Sequence, residues 1–86
     1  MITVYVLLSL KDNATYVGMA SDANKRLKEH NHGKNRYTKG HTPWKIIYTE
    51  QHTDWASARI REKYLKSSAG ENWLNKQDGI SGSLSA

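Results

Sequence analysis

The first strand-length run of the chain is apolar without a break. Residues 2–10, ITVYVLLSL, are β-branched or apolar almost throughout. A run apolar on both faces predicts a central strand covered on both sides. Lys11-Asp12-Asn13 is a polar interval, and a second β-like run, TYVG, occupies 15–18. Asp12 and Asn13 both tolerate a left-handed backbone, so the two runs predict a hairpin. A turn centred between 12 and 13 sets Ser9 opposite Tyr16. Odd positions of the first strand then share a face with even positions of the second, and Tyr5 and Tyr16 project to the same side of the sheet. Gly18 is expected to end the second strand, where backbone must pass or turn closely or let a phosphate approach.

The hydrophobic period then lengthens. Ser21 or Asp22 caps a helix running to about Asn31. Ala23, Leu27 and His30 form its stripe, and Arg26 shares a face with His30 at i, i+4. Residues 32–42 are polar, basic and glycine-containing, and predict a loop. Trp44 to Thr49, WKIIYT, predicts a third strand. Thr53 is expected to cap a second helix reaching about Lys66, with Trp55, Ala58, Glu62 and Leu65 on its inner stripe. Glu62 stands where that period asks for an apolar side chain. A carboxylate there is costly unless it pairs or binds a cation. An ion pair with Arg26, Arg59 or a lysine and a metal site both satisfy the pattern. Gly70 interrupts, and a short amphipathic segment with Trp73 and Leu74 follows. The tail from Gln77, QDGISGSLSA, has little to bury and is expected to be flexible. The expected fold is α/β: a three-stranded antiparallel sheet with the first strand central, flanked by helices, over residues 1–76, with 77–86 as tail.

Charge adds a partner to this picture. Thirteen Lys and Arg against eight Asp and Glu give a net +5 on 86 residues, and the pI is about 9.6. On so small a domain that balance favours a polyanion, most often nucleic acid. The loop HGKNRYTKGHTPWK interleaves Lys34, Arg36, Lys39 and Lys45 with Tyr37, a pattern suited to touching phosphates and bases. A solvated loop has the same composition. Cysteine is absent, which excludes disulfides, thiolate zinc sites and a cysteine nucleophile and makes the cytoplasm the default setting. No run approaches the roughly 18 apolar residues of a membrane span, so no membrane partner is expected. The four histidines, His30, His32, His41 and His52, have spacings that fit no familiar zinc site.

Five segments, in order, resemble the GIY-YIG nuclease superfamily, in the form of a small stand-alone member. Val4-Tyr5-Val6 stands for the first half-motif, without its glycine and with its tyrosine one place early. Tyr16-Val17-Gly18 is similar to the second half-motif. Arg26-Leu27-Lys28-Glu29-His30-Asn31 resembles the helix segment with its arginine and histidine. Tyr37-Thr38-Lys39-Gly40 with Pro43 resembles a loop of stand-alone members. Ala58 to Lys66, ARIREKYLK, resembles the segment carrying the metal-binding glutamate, which falls on Glu62. A C-terminal asparagine of the family has two candidates, Asn72 and Asn75.

The resemblance implies an endonuclease that hydrolyses phosphodiester bonds in DNA, including structured or repair-intermediate DNA, with one Mg²⁺ or Mn²⁺ on Glu62. Arg26 would neutralise the scissile phosphate, and Tyr5 and Tyr16 would serve as base and water-orienting partner, with His30 beside them. Nearby cations, namely Arg26, the metal and His30 when protonated, are expected to lower the tyrosine pKa. The alternative is a non-catalytic nucleic-acid-binding module that keeps the fold.

Overall fold

The computed structural model describes residues 1–76, apart from the side chain of Asn75; the tail expected to be flexible lies outside the described residues. β1 (Ile2–Ser9) is buried at every position. It pairs antiparallel with β2 (Thr15–Ala20) on one side and β3 (Trp44–His52) on the other, so the strand order is β2-β1-β3. The continuous apolar run thus marks the central strand, as expected. Helices α1 (Ala23–Asn31), α2 (Trp55–Lys66) and α3 (Ser68–Asn75) complete the fold.

The sheet is covered differently on its two faces. Ile2, Val4 and Val6 pack with Val17 of β2, Ala58 and Leu65 of α2 and Leu74 of α3. Tyr5 and Leu7 pack on the other face with Ala20, Trp44 and the apolar side of α1, Ala23 and Leu27. A bulge between Val6 and Leu7 leaves Ile47 without a partner on β1, so Tyr48 opposes Val6 and Ile46 opposes Leu7.

The hairpin register differs from the expected one by two residues. Leu7, rather than Ser9, lies opposite Tyr16, and Tyr5 lies opposite Gly18. The turn is centred nearer Lys11. Buried Ser9 accepts the amides of Lys11 and Asp12 at 3.1 and 3.2 Å, drawing the turn back toward β1. Asn13 takes the left-handed conformation at φ 63°. A slip of two preserves parity, so the tyrosines still share a face. β2 does not stop at Gly18 but runs on to Ala20, and β3 extends three residues past Thr49.

Caps decide the helix starts. Asp22 accepts the Lys25 amide at 3.1 Å, and Asp54, not Thr53, accepts the Ser57 amide at 2.8 Å. Trp55 was expected on the inner stripe of α2 but is 53% exposed, because the buried stripe begins only at Ala58. Gly70 lies inside α3, not at a break. A Cβ there would stand 2.0 Å from the Tyr64 carbonyl oxygen, so glycine lets α3 close against the end of α2. Arg61 ties these helices to the sheet: it donates to Glu50 of β3 at 2.7 Å and lies over the rings of Tyr64 and Trp73.

The segment expected as a plain loop contains a short 3₁₀ helix, Thr38–His41. Three contacts anchor it. Asp12 pairs with His41 at 2.6 Å, and Trp44 Nε1 donates to the Thr38 carbonyl at 2.9 Å. The Asn31 side chain both accepts from the Trp44 amide at 2.6 Å and donates to its carbonyl at 3.1 Å.

Candidate active site

Tyr5 is the centre of the arrangement. It sits mid-strand on β1, 1% exposed, and its ring crosses toward β2 over Gly18. A side chain at position 18 would displace Tyr5: a Cβ would stand 2.5 Å from the Tyr5 hydroxyl and 2.6 Å from Cζ. The glycine therefore makes room for the other half of the tyrosine pair. A Cβ there would also come within 3.1 Å of the Tyr16 ring, which places the two rings side by side on one face.

α1 supplies the next partners. The Tyr5 hydroxyl meets His30 Nε2 at 3.2 Å, and the Tyr16 ring lies 5.0 Å from the His30 ring. On the far side, His30 Nδ1 meets Thr38 Oγ1 at 2.8 Å, and the Thr38 hydroxyl turns to the Asn35 carbonyl at 3.5 Å. One proton arrangement satisfies all three contacts: Tyr5 donates to Nε2 of a neutral imidazole, and Nδ1–H donates to Thr38. Burial pushes the His30 pKa down, and the Arg26 charge adds to that. His30 is thus held toward its neutral, accepting form.

Arg26 reaches the Tyr5 hydroxyl from the same helix, while its guanidinium pairs with Glu29 at 2.9 Å and stays about half exposed. Its hydrogen bond lowers the tyrosine pKa, but burial outweighs it, and the Tyr5 hydroxyl is held above its ordinary value of 10.0. The expectation that nearby cations lower it is not met in the resting protein: one half-exposed guanidinium does not offset near-complete burial.

Glu62 stands on α2, and its charge adds a small upward push to the Tyr5 pKa. Its partner is Lys66, one helical turn on, at 3.3 Å, and neither Arg26 nor Arg59; the carboxylate side chain is 15% exposed and the lysine 52%. Tyr5, Tyr16, Arg26 and His30 are therefore brought to one place, whereas Glu62 stands on α2, which packs on the opposite face of the sheet, and reaches Tyr5 through its charge alone.

The expected nucleic-acid contacts divide. Lys34 lines a small hollow with Arg26, Glu29, His30 and Asn35. Arg36, Tyr37 and Lys39 are exposed on the neighbouring loop, and the Tyr37 ring lies 6.0 Å from that of Tyr16. Lys45 does not join them. It opposes Leu8, so it projects from the face opposite Tyr5. Asn72 is exposed on α3. The lysine alternative for Glu62 is the one the structure shows, with Lys66 as the partner, while Thr38, quoted in the sequence only as part of a loop motif, is fully buried and fixes His30. The i, i+4 spacing of Glu62 and Lys66 was the available signal for that pair.

The class is that of a nuclease-type domain: residues 1–76 match the family model of the GIY-YIG catalytic domain. The chain belongs to the GIY-YIG family. Its fold is similar to the solution NMR structure of a UPF0213 protein from Bacillus halodurans, with 30% identity and a TM-score of 0.54 over 92% of this chain and 87% of the other. No curated protein matches it. Among the described residues, no helix is long and apolar enough to cross a membrane.

Proposed function

We propose that the chain is a divalent-metal-dependent endonuclease that hydrolyses phosphodiester bonds in DNA, with structured or repair-intermediate DNA as substrate. One observation carries this reading. A buried tyrosine hydroxyl contacts an imidazole and a guanidinium, in the field of a carboxylate and beside a second tyrosine. A pure binding surface requires only exposed cations, and a buried set of this composition serves no such surface.

The geometry supports the following roles. Tyr5 takes a proton from the attacking water while passing its own to His30 Nε2. The relay spares Tyr5 from becoming a free phenolate, which its raised pKa opposes. Thr38 holds the imidazole in the accepting tautomer. Arg26, half exposed, can turn from Glu29 to a phosphate oxygen, for which its fork geometry suits it. Tyr16 orients the water.

The donor set fits a hard divalent ion. Among the described residues no group of three or more His, Cys, Asp or Glu gathers to hold a metal, so protein ligation rests on Glu62. Mg²⁺ and Mn²⁺ accept this, filling the remaining positions with water and phosphate oxygens. Lys66 is half exposed and can swing away from the carboxylate. When bound, the ion would supply charge neutralisation for the phosphate and acidify water.

The Glu62–Lys66 pair also favours a second reading, since the carboxylate already has a partner: a module that binds nucleic acid without cutting it. Incubation with a panel of branched, nicked and linear DNAs, with Mg²⁺ or Mn²⁺ and with chelator, separates the two. Metal-dependent strand scission is the expected result. Binding without scission across the panel would leave the binding module.

A further inference from the structure

Beside the tyrosine cluster lies a cavity of about 360 Å³. It opens between β2, the end of α2 and α3, and Val17, Leu65 and Leu74 line its apolar part. Tyr16 and Tyr37 form an aromatic wall, their rings 6.0 Å apart and 30° from parallel. Lys66 and Glu71 supply the charged groups. We propose that this cavity holds one nucleobase, unstacked from the strand to be cut, while the adjoining phosphate lies at Tyr5. This rests on the nucleic-acid reading above and adds which part of the substrate the protein grips.

The lining selects a base over a phosphate. Among the described residues Lys66 is the one counter-charge in the lining, the Glu71 carboxylate opposes it, and the remaining aliphatic and aromatic walls offer an anion nothing. A base can stack on the tyrosine rings, and every base has a π face to offer. Its amino and imino groups can donate to Glu71, and Lys66 can donate to a ring nitrogen or carbonyl. The volume lies within the range of small-molecule pockets, large enough for a nucleoside.

Position supports the same occupant. Tyr16 belongs both to the cavity wall and to the cluster around His30. Lys66 belongs both to the cavity and to the Glu62 pair. A nucleotide bridging the two places its base and its phosphate in adjoining sites. Tyr37 is 56% exposed at the mouth, on the same loop as Lys34, Arg36 and Lys39, so the strand arrives over a basic rim. Extracting a base costs least where it is already unpaired. Flaps, bulges and single-stranded ends are therefore preferred over continuous duplex.

The test measures binding in chelator, by fluorescence anisotropy, with two labelled oligonucleotides of equal phosphate number. One carries bases and the other is abasic throughout. The wild-type protein is expected to bind the base-bearing strand roughly tenfold more tightly, as stacking on aromatic side chains provides. Tyr37→Ala should remove most of that difference, mainly by weakening the base-bearing complex, and Tyr37→Phe should keep it. Thermal melting confirms that each variant is folded. Equal wild-type affinities, an equal loss for both strands in Tyr37→Ala, or binding to neither strand would overturn the proposal. The assay contains no metal and reads no cleavage. A protein that discriminates bases yet never cuts would refute the nuclease and leave the cavity assignment. A nuclease indifferent to bases would do the opposite.

Discussion

Tyr5 and Gly18 face one another across the β1–β2 pair, and the Tyr5 ring fills the space that a side chain at 18 would take. The second half-motif thus accommodates the first sterically. Gly18→Ala introduces a Cβ that must push the Tyr5 hydroxyl away from His30. Overpacking of this kind costs about 1–3 kcal/mol. The expected outcome is a lower melting temperature, with cleavage falling far more than the folded fraction does. Melting and nicking measured on one preparation check it, and a folded variant with wild-type activity would contradict the account of Tyr5.

Glu62→Gln and Lys66→Met should act in opposite directions on metal. Glu62→Gln removes the charge but keeps the shape, so cleavage should drop by about 10²-fold or more, as when an essential ligand is removed. Stability should move by less than about 1 kcal/mol, because the pair is with a half-exposed lysine. Lys66→Met frees the carboxylate, and half-maximal activity should be reached at lower metal concentration, while affinity for DNA declines. Metal titrations of both variants read this, and a higher metal requirement in Lys66→Met would count against Glu62 as ligand.

The depressed His30 pKa and the raised Tyr5 pKa set two pH windows. For His30 the unfolded chain binds the proton more readily than the folded one. Stability is therefore full above the unfolded value of 6.5 and is lost as pH falls below it toward the folded value. For Tyr5 the unfolded chain loses its proton first, so stability declines as pH rises past 10.0. Melting curves of wild type and His30→Gln should converge between about pH 7 and pH 5, as the wild type loses what the neutral imidazole contributed. Parallel curves would mean that His30 is not held neutral.

Salt dependence should separate the two sets of basic residues. Replacing Lys34, Arg36 and Lys39 together by glutamine should reduce the slope of log affinity against log salt by about three on duplex DNA, one for each phosphate no longer neutralised. Lys45→Gln should leave it unchanged, since that side chain leaves the opposite face of the sheet. Anisotropy titrations across a salt series provide the slopes.

Much of the fold follows from local pattern. The unbroken apolar run gave β1 its central place, and parity alone paired Tyr5 with Tyr16, because a slip of two residues does not change a face. The exact register was hidden because it depends on Ser9 collecting two turn amides, a tertiary arrangement with no periodic signature. Trp55 misled because helix phase tells which side is inner, not how far along the helix burial begins. In the site, phase and the family resemblance together indicated Arg26, His30 and Glu62. Thr38 could be quoted in a loop motif but not given its role, because that role comes from an imidazole eight residues earlier across an irregular loop. The direction of the Tyr5 pKa was also beyond the sequence, which names its charged neighbours but not the depth at which the hydroxyl is buried.

The side chain of Asn31 has a consequence at the sheet's rim. β3 is an outer strand, and its first residue would present a bare amide and carbonyl to any passing strand. Asn31 occupies both, the donor and acceptor of its own amide standing in for a peptide unit of a fourth strand. That counterfeit peptide closes the start of the rim to edge-to-edge polymerisation. It also fastens the last turn of α1 to the sheet one residue beyond His30, so the same small group that protects against aggregation holds the imidazole in line with Tyr5.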